Sequence, residues 1–400
     1  MKTTVILLLM WVAFLAPLGR AQEVSSNITE LTTKNIDFAM DLYRLIASHH
    51  DDNIFFSPLC MSTAFTILAM GAQGTTRQQI LKGLRLDTLE QDERPELLAE
   101  LFHELQANIT QDGGLQLDQG TAMFVHLQFE VLKAFSAQIQ KYFNADSFNV
   151  DFSNSKASMA TINEYIKHKT GDKVTDMISK IDPLTQLMVV NTIFFQGKWE
   201  LPFIAKSTTN QRFYVDKYNI VQVPMMFNDN NFYMARDTNL KIRILKLPYL
   251  GGAAMLIVLP EKTEDYTSID DHINAEVFQG WLKQLKKMRM EVNLPRFKME
   301  QSYEMHKILP DLGITDIFTS RANLSQISTV LGLQVSEVLH KAVIEVDETG
   351  TTAAATTTVG IVAKSMPFRF IVDRPFFVFI YHEVTNTILF MGRVIDPTKK

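Results

Sequence analysis

Segments 188–195, 241–247, 253–259, 290–294, 376–381 and 387–394 are apolar or β-branched runs bounded by turn residues, and several are apolar on both faces. Such a strand has to be covered from above and below, because either face left in water would expose a row of large side chains. The first third of the chain supplies cover. Ile36, Ala39, Leu42, Tyr43 and Ile46 recur at helical spacing within 35–46, and helical patterning continues over 62–70 and 76–84. Helices packed on large, mainly antiparallel sheets define an α+β class. With no internal repeat and no Pro/Gly/Ser-rich linker, residues 22–400 are expected to form one domain.

That domain must be held by its core. Cys60 is the only cysteine, which excludes an internal disulfide. Its apolar surroundings over 55–70 point to a buried, inert thiol. Apolar residues at 46% against 21% charged give the balance of a large globular core and set disorder aside. Residues 1–21 read as a cleaved signal peptide: Lys2, an apolar stretch interrupted by Pro17, then Gly19 and Ala21 around Arg20. The stretch is shorter than the roughly 20 residues a membrane-spanning helix needs. Cleavage before Gln22 removes Lys2 and Arg20 and no acid, taking the formal charge from -5 to -7. A mildly acidic chain is a poor nucleic-acid binder. Sequons at Asn27, Asn108 and Asn323 fit glycosylated loops of a secreted, extracellular protein.

Catalytic signatures are missing: the sequence has no G-x-S-x-G elbow, H-E-x-x-H helix or phosphate-cradling glycine loop. An S-x-x-K at 153–156 and a K-T-G at 169–171 stand thirteen residues apart with no S-D-N between them, a chance match. Of nine histidines only His49 and His50 adjoin, without carboxylate or cysteine partners at ligand spacing, so no metal site is expected. His340, in the apolar-flanked run 335–346, reads as a hydrogen-bonded core imidazole.

The segment that stands out lies between Glu348 and Lys364, a run of small and β-branched residues without a single charge. Gly350 and the small residues allow an exposed loop, while threonine and valine favour extended backbone. On a strand, Thr351, Ala353, Ala355, Thr357, Val359 and Ile361 would share one face, and none is too large or charged to enter a core. A linker selected only for flexibility would show no such restriction.

At this point the chain resembles the serpin family, over essentially all of residues 30–398. Asn53-Ile54-Phe55-Phe56-Ser57-Pro58, followed by Gly71-Ala72 and Gly74-Thr75-Thr76, is similar to the family's helix B region. Residues 191–199 resemble its third sheet strand, and Asp373-Arg374-Pro375-Phe376 with Leu389-Phe390-Met391-Gly392-Arg393-Val394 its C-terminal signature. Further segments, among them Leu245-Lys246-Leu247-Pro248-Tyr249 and Ser365-Met366-Pro367, are similar to a clade of plasma serpins that use a protein Z-like cofactor.

The resemblance implies about nine helices on three β-sheets, with an exposed reactive-centre loop at about 348–370. It implies an inhibitor rather than an enzyme, one that traps a serine protease covalently and acts as a monomer. Counting seventeen residues from Glu348 places the bait bond at Lys364-Ser365, where that plasma clade carries tyrosine; lysine points to a trypsin-like target. Glu348, Gly350, Thr351, Thr352, Ala353, Ala354 and Ala355 form the implied hinge. Ser57, Asn191, Trp199 and His340 fall on structural positions under the sheet opening, with Cys60 where the family commonly has serine. Heparin or a protein Z-like cofactor is a further implication, and Arg77, Lys82 and Arg85 are the candidate basic cluster. The alternative within the fold is a non-inhibitory carrier or chaperone; such members carry bulky or charged hinge residues, unlike Thr351 and Ala353 to Ala355.

Overall fold

A computed structural model describes residues 25–399 except 92, 112–114, 176, 264–265 and 350–366. The expected leader, the bait residues Lys364 and Ser365, and the hinge positions Gly350, Thr351, Thr352, Ala353, Ala354 and Ala355 lie outside the described residues.

Helices dominate the first half: α1 (Ser26–His49), α2 (Pro58–Gly71), α3 (Gly74–Gly83), α4 (Leu97–Thr110), α5 (Lys133–Phe143) and α6 (Ser155–Lys169). Three shorter helices follow among the described residues, α7 (Tyr266–Ile269), α8 (Ala275–Gln284) and α9 (Met305–Ile308). α1 begins where the Ser25 side chain accepts from the Ile28 N–H, and it buries the stripe Ile28, Leu31, Ile36, Ala39, Leu42, Tyr43 and Ile46. α2 is buried nearly all round, as expected of a helix enclosed by the core.

A five-stranded sheet has the order β10 (Phe297–Glu304), β11 (Glu337–Val346), β4 (Leu187–Gln196), β2 (Gln116–His126) and β3 (Asp146–Val150). Its two faces are readable residue by residue. On β4, Leu187, Val189, Ile193 and Phe195 enter the main core, while Met188, Val190 and Phe194 join a smaller cluster with Ile162 and Ile166 of α6. That period of two is the covering of both faces that the apolar runs require. Within the sheet, β11 and β4 pair in parallel, Glu337↔Met188 through Ile344↔Phe195, flanked by antiparallel pairs on either side.

The other described strands hydrogen-bond into one nine-stranded sheet. Its path is β1 (Ile54–Phe56), β14 (Ile388–Val394), β13 (Phe376–His382), β8 (Ala253–Pro260), β7 (Ile242–Pro248), β6 (Ile220–Asp237), β9 (Lys286–Pro295) and β12 (Phe368–Ile371), with β5 (Thr209–Tyr214) on β6. Two of the three expected sheets are thus continuous. The 18-residue β6 pairs first with β5, then with β9, and at its end with β7, so it belongs to both. One boundary is corrected: the loop expected to reach about 370 ends sooner, because Phe368–Ile371 is strand β12, held parallel to Met290–Asn293 of β9.

Candidate functional site

The β11–β4 seam is pinned from below by one chain of buried hydrogen bonds. Ser57 sits at the N-cap of α2, where its hydroxyl accepts from the Cys60 N–H at 3.2 Å and donates to the Leu389 carbonyl of β14 at 2.7 Å. The Ser57 N–H donates to His340 Nε2 at 3.0 Å. A ring nitrogen that accepts an N–H carries a lone pair, so the proton of a neutral ring is on Nδ1, which donates to Asn191 Oδ1 at 3.3 Å. Asn191 Nδ2 in turn donates to the Cys60 carbonyl and to Thr121 Oγ1, both at 3.0 Å. His340 and Asn191 are direct partners across β11 and β4. Parting these strands breaks their bond.

Burial lowers the His340 pKa to about 3, so the imidazole is neutral through the physiological range. Tyr303, opposite His340 on β10, adds a strut by accepting the Phe55 N–H at 3.2 Å. Cys60 is free and buried, and burial raises its thiol to about 12, so thiolate chemistry is closed to it.

A second cluster holds the point where β11 runs out. Trp199 Nε1 donates to the Asp347 carbonyl at 2.9 Å, and the Trp199 N–H donates to the Thr349 carbonyl at 3.3 Å. The indole stacks on Tyr249 with centroids 4.2 Å apart and planes 13° off parallel. The Phe203 N–H takes the Glu348 carbonyl at 2.8 Å. The Glu348 carboxylate accepts from Thr208 Oγ1 at 2.6 Å and pairs with Arg296. Burial alone would raise its pKa, but the bonds from Arg296 and Thr208 outweigh burial and hold it below the usual carboxylate range. The last described residues before 350 are therefore tied on both sides.

Of the positions singled out in sequence, the fold brings Ser57, Asn191 and His340 into contact and sets Trp199 against the residues flanking Glu348. Thr121, Tyr303, Thr208, Arg296, Phe203 and Tyr249 complete these clusters. Tyr249 and Tyr303 lay in segments that carry the family resemblance, the latter in Tyr303-Glu304-Met305-His306; the others have no local signal, since their partners are distant in sequence.

The three candidate basic residues are partly paired with acids. Arg77 donates to Glu90 Oε1 and to the Ala69 carbonyl, and Arg85 pairs with Asp41 at 2.5 Å. Lys82 shares a cleft with Asp37, Asp41, Asp87 and Asp311. Arg77 and Arg85 are thus engaged by carboxylates, while Lys82 lines that cleft together with Lys34 and Arg85. The sequons differ as well: Asn27 and Asn323 are exposed, whereas Asn108 is half-buried on α4 and donates to the Glu104 carbonyl at 2.9 Å.

A parallel central pair latched at its base, with β11 leading through a tethered turn into residues 350–366, defines the class. The serpin (serine protease inhibitor) family matches residues 33–397, and the chain belongs to it. Protein Z-dependent protease inhibitors of Homo sapiens and Mus musculus are 40% and 39% identical over 370 residues, covering 92% of this chain and 83% and 82% of theirs. The plasma serine protease inhibitor of Homo sapiens is 37% identical over 383 residues, covering 94% of this chain and 93% of its own. Among solved structures, mouse protein Z-dependent protease inhibitor superposes with a TM-score of 0.87 at 38% identity, covering 93% of this chain and 98% of that one. Human thyroxine-binding globulin, solved with its hormone, also gives 0.87, at 29% identity over 94% of this chain and 100% of its own. The family is described by its serine protease inhibitors, and the protein Z-dependent and plasma relatives are inhibitors rather than catalysts. No helix among the described residues is long and apolar enough to cross a membrane.

Proposed function

We propose that this chain is a secreted, single-use inhibitor of a trypsin-like serine protease, with Lys364-Ser365 as bait. The observation that carries the reading is the placement of β11: it pairs in parallel with β4 at the centre of the five-stranded sheet, and it feeds directly into residues 350–366. A strand returning from its end would run antiparallel to both neighbours, exchanging one parallel ladder for two antiparallel ones.

The protease serine attacks the Lys364 carbonyl. The Lys364–Ser365 C–N bond breaks, Ser365 leaves as an amine after taking a proton, and Lys364 remains as an ester on the enzyme. Freed at one end, residues 350–364 enter between β11 and β4. Fifteen extended residues span about 50 Å at ~3.3 Å each, which carries the tethered protease from one pole toward the other. Distortion that removes one oxyanion donor slows deacylation about a hundredfold or more.

The test is incubation with trypsin. The expected result is a complex that survives denaturing electrophoresis at the summed mass, with loss of trypsin activity. Cleavage at Lys364 with trypsin activity intact would instead support a carrier, the kind of role that the name of thyroxine-binding globulin carries. By resemblance to its relatives, the proposal extends to a cofactor such as heparin or a protein Z-like partner; adding each to the same assay and reading the inhibition rate tests that extension.

A further inference from the structure

We propose that the cleft between β7, β12 and the end of β6 binds a small organic carboxylate with an apolar body, through Arg243. This open cleft of about 570 Å³ is lined by Met234, Arg236, Arg243, Glu261, Phe368 and Arg374. Arg236 and Arg243 stand directly opposite each other on β6 and β7, a like-charge pair that disfavours the ladder unless an anion lies between. Around them Arg236 pairs with Glu261 at 2.5 Å, Arg374 with Asp373 at 2.6 Å, and Arg369 with Glu291 at 2.8 Å. Glu261 and Asp373 are the acids that face Arg243, and both are engaged. Among the described residues no carboxylate forms an ion pair with Arg243. Its guanidinium makes one long bond to the Arg369 carbonyl, 3.5 Å, and lies 5.2 Å from the Phe370 ring.

A half-buried guanidinium in this position is costly without a counter-ion. Its pKa is lowered by burial and then by Arg374, in keeping with that environment. The planar fork matches a carboxylate, and the Phe370 ring lies beside it. Beside it, Met234 and the 37%-exposed Phe368 offer apolar wall, which a bare inorganic anion would leave unused. A flat acid with its carboxylate on Arg243 and its body on Phe368 uses both. The site is independent of the inhibitory reading, since it needs neither cleavage nor residues 350–366.

Calorimetric titration of the intact protein with 2-naphthoate tests the proposal, with neutral 2-naphthalenemethanol and sodium sulfate as comparison probes. Naphthoate is expected to bind, and Arg243→Gln to weaken it about tenfold or more, the worth of a charge-assisted contact. Phe368→Ser, on an exposed side chain and so tolerated by the fold, is expected to weaken naphthoate but not sulfate. Absence of naphthoate binding, equal binding of the neutral alcohol, or binding unchanged in both variants would overturn the site. Sulfate binding as tightly as naphthoate would overturn its apolar half.

Discussion

His340 and Asp270 titrate in opposite senses, and each contributes to how stability responds to mild acid. His340 has a folded pKa of about 3 against an unfolded value of ~6.5, so below pH 6.5 the unfolded chain takes a proton the native ring refuses. Stability is lost as pH falls, by about 1.4 kcal/mol per unit. Asp270 accepts from the Tyr43 hydroxyl at 3.2 Å and faces Arg393, and burial raises it to about 6. Its native form binds a proton before the unfolded form does, so between pH 6 and ~4 stability rises on acidification by a similar slope. The two nearly cancel in that window. His340→Gln removes only the first. Relative to the parent, its unfolding free energy is expected to gain about 2 kcal/mol between pH 6.5 and 5, read from urea midpoints. Parallel pH profiles for parent and variant would mean that His340 is not the titrating group.

Among the elements, β14 shows how tightly the ladder is specified. A Cβ on Gly392 would lie 1.9 Å from the Ile54 carbonyl oxygen of β1, a clash with backbone that no side chain can relieve. Gly392→Ala is expected to destabilise by about 3 kcal/mol or more, at the upper end of overpacking costs, measured as a lower denaturation midpoint with β1 protection lost in hydrogen exchange. At the other end of β11, a loop entering the sheet cannot carry an unpaired ion. Thr351→Arg is therefore expected to leave cleavage by trypsin intact while abolishing the denaturant-stable complex. Inhibition at the parent's stoichiometry would refute insertion. These elements were unequally legible. β8 and β13 declared themselves because apolar runs without alternation admit few other fates. β6 did not, since Asn228, Asp229, Asn230 and Asn231 are residue types that disfavour strands, yet Asn228 donates inward to the carbonyls of Leu201 and Pro202, and Asp229 reaches Arg289 of β9. Those partners are distant in sequence, as are Arg296 and Thr208 for Glu348. Likewise Arg77 and Arg85 looked like free cations because Glu90 and Asp41 are brought to them only by the fold.

At the scale of the molecule, the question is whether a chain with β11 and β4 paired is its own lowest state once residue 364 is severed. Insertion first breaks the existing ladder of eight residue pairs and the His340–Asn191 bond, then forms a ladder on each edge of the new strand. The net gain is thus about one ladder rather than two. Eight bonds at 0.5–1.5 kcal/mol each amount to roughly 4–12 kcal/mol, before burial of the inserted side chains is added. At ~2.1 cal/mol/K of unfolding entropy per residue, a fold of this length converts that gain into a rise in melting temperature of at least about 5 °C. The uncut molecule would then be a kinetically held state. Cutting at Lys364 with catalytic trypsin, removing the protease, and comparing calorimetric melts of cut and uncut protein measures the difference. The cut form is expected to melt higher, and Thr351→Arg to show no such rise after the same cut. Equal melting of cut and uncut parent would leave the β11–β4 seam a closed structural joint, and a protease so bound would have nothing to drive its translocation.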